Sequence, residues 1–237
     1  MLHPIAPDIW GIEDDLFMPG GLHFPVRMTV VKLPDGGLLL HSPVKIDDAR
    51  AAALAELGPV KHIVAPNALH HLFFGEAQAR YPDALSWAAP GLAAKRDDLR
   101  FDRTLDPTGS EPTPWSDVLE SRFVDGIPWA NETVFLHRPS KTLLVTDLFF
   151  NMQSPANRRS RFFFWLLGVL GRPRQSPLLR MQTKDRAAAA NACRGILEWS
   201  FDRAVPAHGP VVEADAQRVV GEVLQPMIAR GPKALPA

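Results

Sequence analysis

The stretch VAPNALHHLFFGEA, residues 64–77, decides how the chain is read. An apolar run ends at Pro66, and two adjacent histidines, His70 and His71, follow at the entrance to an apparent helix, HHLFFGEAQARYPDA, that stops at or before Pro82. Its approach, VKHIVAP, reads as a short apolar strand, and ALSWAAP after it as the next. This strand–helix–strand alternation calls for a sheet with helices packed on it. Imidazoles placed where a strand ends are candidates for metal binding or proton transfer. On a helix, neighbouring residues point about 100° apart, so at most one of the pair faces a given site.

Upstream, RMTVVKLP and GLLLHSP flank the turn signal PDGG and read as a hairpin over Arg27–Ser42. DDARAAALAELG reads as a helix capped by Asp47 and followed by Gly58. Residues 95–120 carry DPTGSEPTP and read as loop. NETVFLHRPSKTLLVTDLFFN reads as a second hairpin, Thr133–His137 with Thr142–Thr146, ending at Asp147. Glu132 and His137 flank its first strand and, an odd interval apart, face opposite ways. KDRAAAANACRGILEWSF is a long helix, DRAVPAHGP a short strand running into a loop at His208, EADAQRVVGEVLQPMIARG the closing helix and PKALPA a tail.

Three places thus share one pattern, a polar side chain directly after an apolar strand: Asn67 with His70 and His71, then Asp147, then His208. Strand ends on one side of a sheet converge, so these residues can meet. Two histidines and a carboxylate suit zinc, iron or manganese. The bland reading of each histidine alone is a packed or solvated side chain.

The bulk numbers narrow the rest. A chain of 237 residues with 46% hydrophobic and 22% charged residues has ample material for a buried core. Lys+Arg 26 against Asp+Glu 26 leaves no global charge to attract nucleic acid, which is not expected as a partner. The lone Cys193 excludes an internal disulfide and a multi-cysteine zinc site. The N-terminal residues MLHPIAPDIWG lack a basic region followed by an apolar core, so the expected location is cytoplasmic. RRSRFFFWLLGVLGRPR stands out: its apolar block, Phe162–Leu170, is too short to span a bilayer, arginines flank it, and no Asp or Glu occurs from Leu148 to Lys184. It reads as a buried helix with solvated basic ends; the alternatives are a lid, a partner-docking helix or a membrane-surface contact through 158–174. No G-x-G-x-x-G, G-x-x-x-x-G-K-[ST] or G-x-S-x-G is present.

The order of elements resembles the metallo-β-lactamase fold over roughly residues 3–215. The resemblance rests on IAPDIWGI, TVVKLPDGGLLLHSP, HIVAPNALHHLFFGEAQARYPDA, TLLVTDLFF and VPAHGPV. It implies an α+β fold, a four-layer αβ/βα sandwich, as a single domain over 1–237 with a basic, apolar helical insertion at 152–182. Laid on that family's His-x-His-x-Asp-His pattern, with Gly75 on the family's glycine, Asn67 and Leu69 fall on histidines, His71 on the aspartate and Leu72 on the last histidine. The next family histidine, near Trp129 in DGIPWANE, is also missing, whereas Asp147 and His208 match the later aspartate and histidine. PNALHH, HRPSKTLLVTDL and PAHG resemble an uncharacterised branch of this family, known only as a domain of unknown function.

The resemblance implies a reduced, mononuclear site for one divalent metal, zinc first, with iron or manganese as alternatives. His71, Asp147 and His208 are its expected ligands, Asn67 a weak oxygen ligand and His70 the catalytic base or a supporting group. The implied activity is hydrolysis of an ester, thioester or amide in a small-molecule substrate. Two alternatives stay open: a metal-free, non-catalytic protein that binds an apolar ligand, a membrane surface or a protein partner, and an iron-dependent oxidoreductase.

Overall fold

In a computed structural model, described over residues 1–231, two sheets face each other. The first runs in chain order: β1 (Leu2–Ala6), β2 (Ile9–Met18), β3 (Leu22–Lys32), β4 (Leu38–His41), β5 (Val60–Ala65), β6 (Leu85–Ala88) and β7 (Arg103–Thr104). The second contains β8 (Leu119–Phe123), β9 (Thr133–His137), β10 (Thr142–Val145) and β11 (Arg203–Pro206), in the order β11-β10-β9-β8. The helices are α1 (Asp48–Leu57), α2 (Phe74–Arg80), α3 (Leu92–Lys95), α4 (Arg158–Leu166), α5 (Pro177–Met181), α6 (Arg186–Glu198) and α7 (Ala216–Ile228). The tail PKALPA lies outside the described residues.

Alternation along the strands builds the layers. Leu38 and Leu40 of β4 face outward into a cluster with Leu54 of α1, whereas Leu39 between them faces the second sheet. Ile63 and Ala65 of β5 pack against Phe74 of α2 and Leu92 of α3, and Val64 turns inward. In the second sheet Phe135 and Leu144 point into the sandwich, while Leu136, Leu143 and Val145 meet α6 and α7. Helices, sheet, sheet and helices make the four layers implied by the sequence. Side chains at i and i+2 share a face, so apolar runs such as GLLLH and TLLV cover both sides of their strands at once. Cys193 is buried in α6, where burial pushes its thiol up to about 12, as a packed thiol requires.

Two features gather the strand ends at one edge of the sandwich. The strands β4, β5 and β6 are parallel, and β10 is parallel to β11, so the C-terminal ends of these strands are grouped. Arg27 on β3, buried, donates to the Pro206 carbonyl at the end of β11 and pairs with Glu13, tying the two sheets together at that end. The short β7 and the start of β8 fall in the stretch 95–120 read as loop; LESRF of β8 has a polar pattern that gives a weak strand signal. The helix over Phe162–Leu170 differs from its reading as a buried element. Only Ser160 and Phe164 of α4 are buried, while Phe162, Trp165 and Leu166 are 63%, 63% and 69% exposed.

Candidate metal centre

The segment between β5 and α2 is a loop, and Asn67 shapes it. The buried Asn67 Oδ1 accepts the backbone N–H groups of Leu69 and His70 at 2.9 and 2.7 Å, closing an Asx-type turn. Its amide donates to Thr146 Oγ1 at 2.9 Å and to Asp147 Oδ2 at 2.7 Å. Every hydrogen-bonding position of this side chain is therefore engaged. Asn67 is thus not the oxygen ligand expected from sequence: it joins the β5 loop to the end of β10 and aims the Asp147 carboxylate.

The same turn decides between the two histidines. His70 points into the sandwich, with its Nε2 3.0 Å from His208 Nε2 and 3.3 Å from Asp147 Oδ2. His71 points away and lies with its Nδ1 2.6 Å from Arg96 Nη1. Partial burial and the charges of Lys95 and Arg96 lower its pKa, and the same charges oppose a bound cation. The placement differs from the expectation: His70 stands in the cluster and His71 does not. The reason is local, because the two residues sit before α2 in an Asn67-fixed turn, where helical angles do not apply.

His70, Asp147 and His208 form a group whose candidate ligand atoms all lie within 4.8 Å of one another. Asp147 follows β10, and His208 follows β11. Burial acts to raise the Asp147 pKa, but His70 and His208 beside it outweigh burial and hold the carboxyl well below the usual range. Glu132, just before β9, accepts the N–H groups of Thr146 and Asp147 at 2.7 and 2.8 Å and so fixes the backbone that presents Asp147. Burial, and then the Asp147 charge, push the Glu132 carboxyl up to about 7. His137 bonds Ser140 in the turn instead, 2.7 Å from Nδ1 to Oγ.

His208 is held on three sides. Its Nδ1 lies 2.8 Å from the Pro25 carbonyl, which can only accept, so Nδ1 carries the proton. Its ring stacks on Phe150, with centroids 4.9 Å apart and planes 9° apart, and meets the edge of Phe24. Gly209 follows with φ 93°, and a Cβ there would stand 2.0 Å from the Asn151 carbonyl oxygen, so the close turn after His208 needs glycine. Burial lowers the His208 pKa against the pull of Asp147.

On the far side of His70, its Nδ1 lies 2.6 Å from Ser42 Oγ, and Ser42 sits directly after β4 with φ 58°. Ser42 was not singled out from sequence, although its position after an apolar strand matches the pattern of the other three sites. The Ser42 hydroxyl can accept from Nδ1–H, which turns the His70 Nε2 lone pair toward Asp147 and His208. Two imidazole nitrogens and a carboxylate facing one another at 3.0 to 3.3 Å need a positive centre among them. A proton on one ring satisfies the geometry, and so does a divalent cation. The donor set, N, N and O with both remaining ring nitrogens anchored on protein oxygen atoms, fits such an ion.

The cluster forms the floor of a cavity of about 380 Å³ whose walls are almost wholly apolar, including Phe24, Leu69, Leu72, Trp129, Phe163 and Leu178. Leu69, Leu72 and Trp129, at or near positions where the resemblance expects histidines, thus line the cavity.

The model of the family described as "Domain of unknown function (DUF4336)" matches residues 7–158, a span that contains Asn67, His70 and Asp147 and stops short of His208. No curated protein matches the sequence. The structure is similar to the mono-zinc form of a metallo-β-lactamase from Pseudomonas aeruginosa, with 14% identity, 95% of each chain covered and a TM-score of 0.63. It is similar to the metallo-β-lactamase from Pontibacter korlensis at 17% identity and a TM-score of 0.63, over 96% of this chain and 98% of the other. For the metallo-β-lactamase from Erythrobacter litoralis the values are 15% and 0.63, over 95% and 91%. At these identities the similarity shows the fold.

Proposed function

For a chain that belongs to the DUF4336 family and has the metallo-β-lactamase fold, we propose a hydrolase with a single divalent metal held by His70, Asp147 and His208, acting on an ester, thioester or amide with an apolar portion. The observation that carries this reading is the mutual approach of the two Nε2 atoms and the Asp147 carboxylate, with His208 Nδ1 committed to the Pro25 carbonyl. A divalent ion at such a site supplies Lewis acidity for hydrolysis. The chain itself orients the donors: Ser42 turns His70, Phe150 and Pro25 turn His208, and Asn67 and Glu132 fix Asp147. The apolar walls exclude water and receive the non-reacting part of the substrate.

Elemental analysis of protein purified without added chelator tests this. About one equivalent of zinc, lost in His208→Ala and Asp147→Ala, is the expected result. One equivalent of iron turns the reaction class toward an oxidoreductase. Well-folded protein without metal overturns the metal reading and favours a second one, a non-catalytic protein that binds an apolar ligand. That alternative is motivated by Leu69 and Leu72 lining the cavity, and stabilisation of the metal-free protein by a long-chain fatty acid would support it.

A further inference from the structure

The helix α4 carries two apolar faces. Phe163 and Leu167, close to one another around the helix, line the cavity from inside. Phe162, Trp165 and Leu166 point outward and are largely exposed, with Phe162 and Trp165 stacked at 5.8 Å. The cavity rim adds Leu72 at 57%, Trp129 at 37% and Leu178 at 38% exposure, and Met181, one turn after Leu178 on α5, is exposed as well. A soluble surface scatters such side chains singly; here Leu72, Trp129 and Leu178 line the apolar cavity, and Phe162, Trp165 and Leu166 form a second exposed group on the α4 helix, whose Phe163 lines the same cavity.

The first turn of α4 is basic: Arg158, Arg159 and Arg161 stand there, and Arg158 and Arg159 line one groove with Phe162 and Leu166. Arg172, Arg174 and Arg180 lie elsewhere, in a groove shared with Arg218 and Glu222 of α7. In a two-fold dimer this patch would meet itself and set arginine against arginine. An anionic lipid surface instead offers phosphates to the arginines and acyl chains to the aromatic residues.

We propose that the outer face of α4, together with the exposed rim residues, docks onto an anionic membrane surface, so that the cavity opens toward the acyl chains and takes its apolar ligand from the bilayer. Docking stands independently of any metal. The further step, that the substrate is a lipid ester or thioester, rests on the hydrolase reading above.

The test is co-sedimentation of the full chain with vesicles of phosphatidylcholine alone or mixed with phosphatidylglycerol. Wild type is expected to bind the anionic vesicles at least about tenfold more strongly, and less so as salt rises. Trp165→Glu with Leu166→Glu is expected to lower that binding by about tenfold or more. Arg158→Gln with Arg161→Gln is expected to weaken the preference for phosphatidylglycerol. Circular dichroism and melting temperature are measured on each variant, and both pairs should match wild type, because none of these four residues is buried. Wild type that stays in the supernatant with both vesicles overturns the proposal. So does a concentration-dependent dimer that the Trp165→Glu, Leu166→Glu variant abolishes, since the face would then join two copies. Metal content is read on the same preparations. Binding without metal removes the hydrolase reading and leaves docking in place, whereas metal without binding does the reverse.

Discussion

The ring of His208 lies flat against Phe150, and Phe150 is itself locked to Arg174 by two backbone hydrogen bonds of 2.9 Å. The segment leading from α4 to α5 therefore sets the plane of a ring carried by the loop after β11. Phe150→Leu removes the stacking surface but keeps most of the volume. It is expected to cost about 1 kcal/mol of stability and to weaken metal affinity about tenfold by freeing the ring. Competition against a chromophoric chelator, beside a urea melt, measures both.

Asn67 offers a sharper separation of structure from ligation. Asn67→Ala leaves the N–H groups of Leu69 and His70 and one Asp147 oxygen without their partner. Unmet buried polar groups cost about 1–3 kcal/mol each, so a loss of about 3 kcal/mol in urea unfolding is expected even for metal-free protein. A direct ligand whose removal affected only the metal would leave the metal-free stability nearly unchanged.

The placement of the two histidines gives a paired prediction. His71→Ala should retain the metal of the wild type and, away from the core, change stability by less than about 1 kcal/mol. His70→Ala should lose the metal. Elemental analysis of the two variants side by side decides the assignment, and the opposite pattern would restore His71 as the ligand.

Acid should expose His41. This residue is buried at the end of β4, its ring meets the edge of Phe135 at 5.5 Å, and its Nε2 has no partner among the described residues. Burial, then the His70 charge, lower its pKa to about 3, against about 6.5 in the unfolded chain. The unfolded state therefore binds the extra proton first. The contribution of His41 is complete above about pH 6.5 and is lost as pH falls toward 3. His62, His137 and His208, also lowered by burial, act in the same direction. His41→Leu should flatten the dependence of stability on pH between 6 and 4 by about 1.4 kcal/mol per unit, read from urea melts across that range.

Asp147 and His208 were legible in the sequence because each ends a short apolar strand, and the parallel pairing of β10 with β11 brings such ends together. The four-layer order was legible for the same reason, since runs like GLLLH already specify which residues face each layer. The choice between His70 and His71 was not legible, because it depends on a turn closed by the Asn67 side chain, which the spacing of the histidines does not encode. Ser42 shares the position after an apolar strand but was read as the end of a hairpin, and the φ of 58° that accompanies its approach to His70 is not encoded in that pattern. The reading of α4 as buried failed because hydropathy measures what a segment prefers, and the fold supplies partners for only part of this one.

The three members of the cluster also arrive at different times. His70 and His208 lie 138 positions apart, and β11 must pair beside β10 before the last imidazole is in place. Contacts so distant along the chain close late in folding. The third donor exists only once the ribosome has released β11 and His208, so a captured ion would report that this strand has been made and paired, and a nascent chain arrested before β11 would hold it no better than an aspartate and one histidine can.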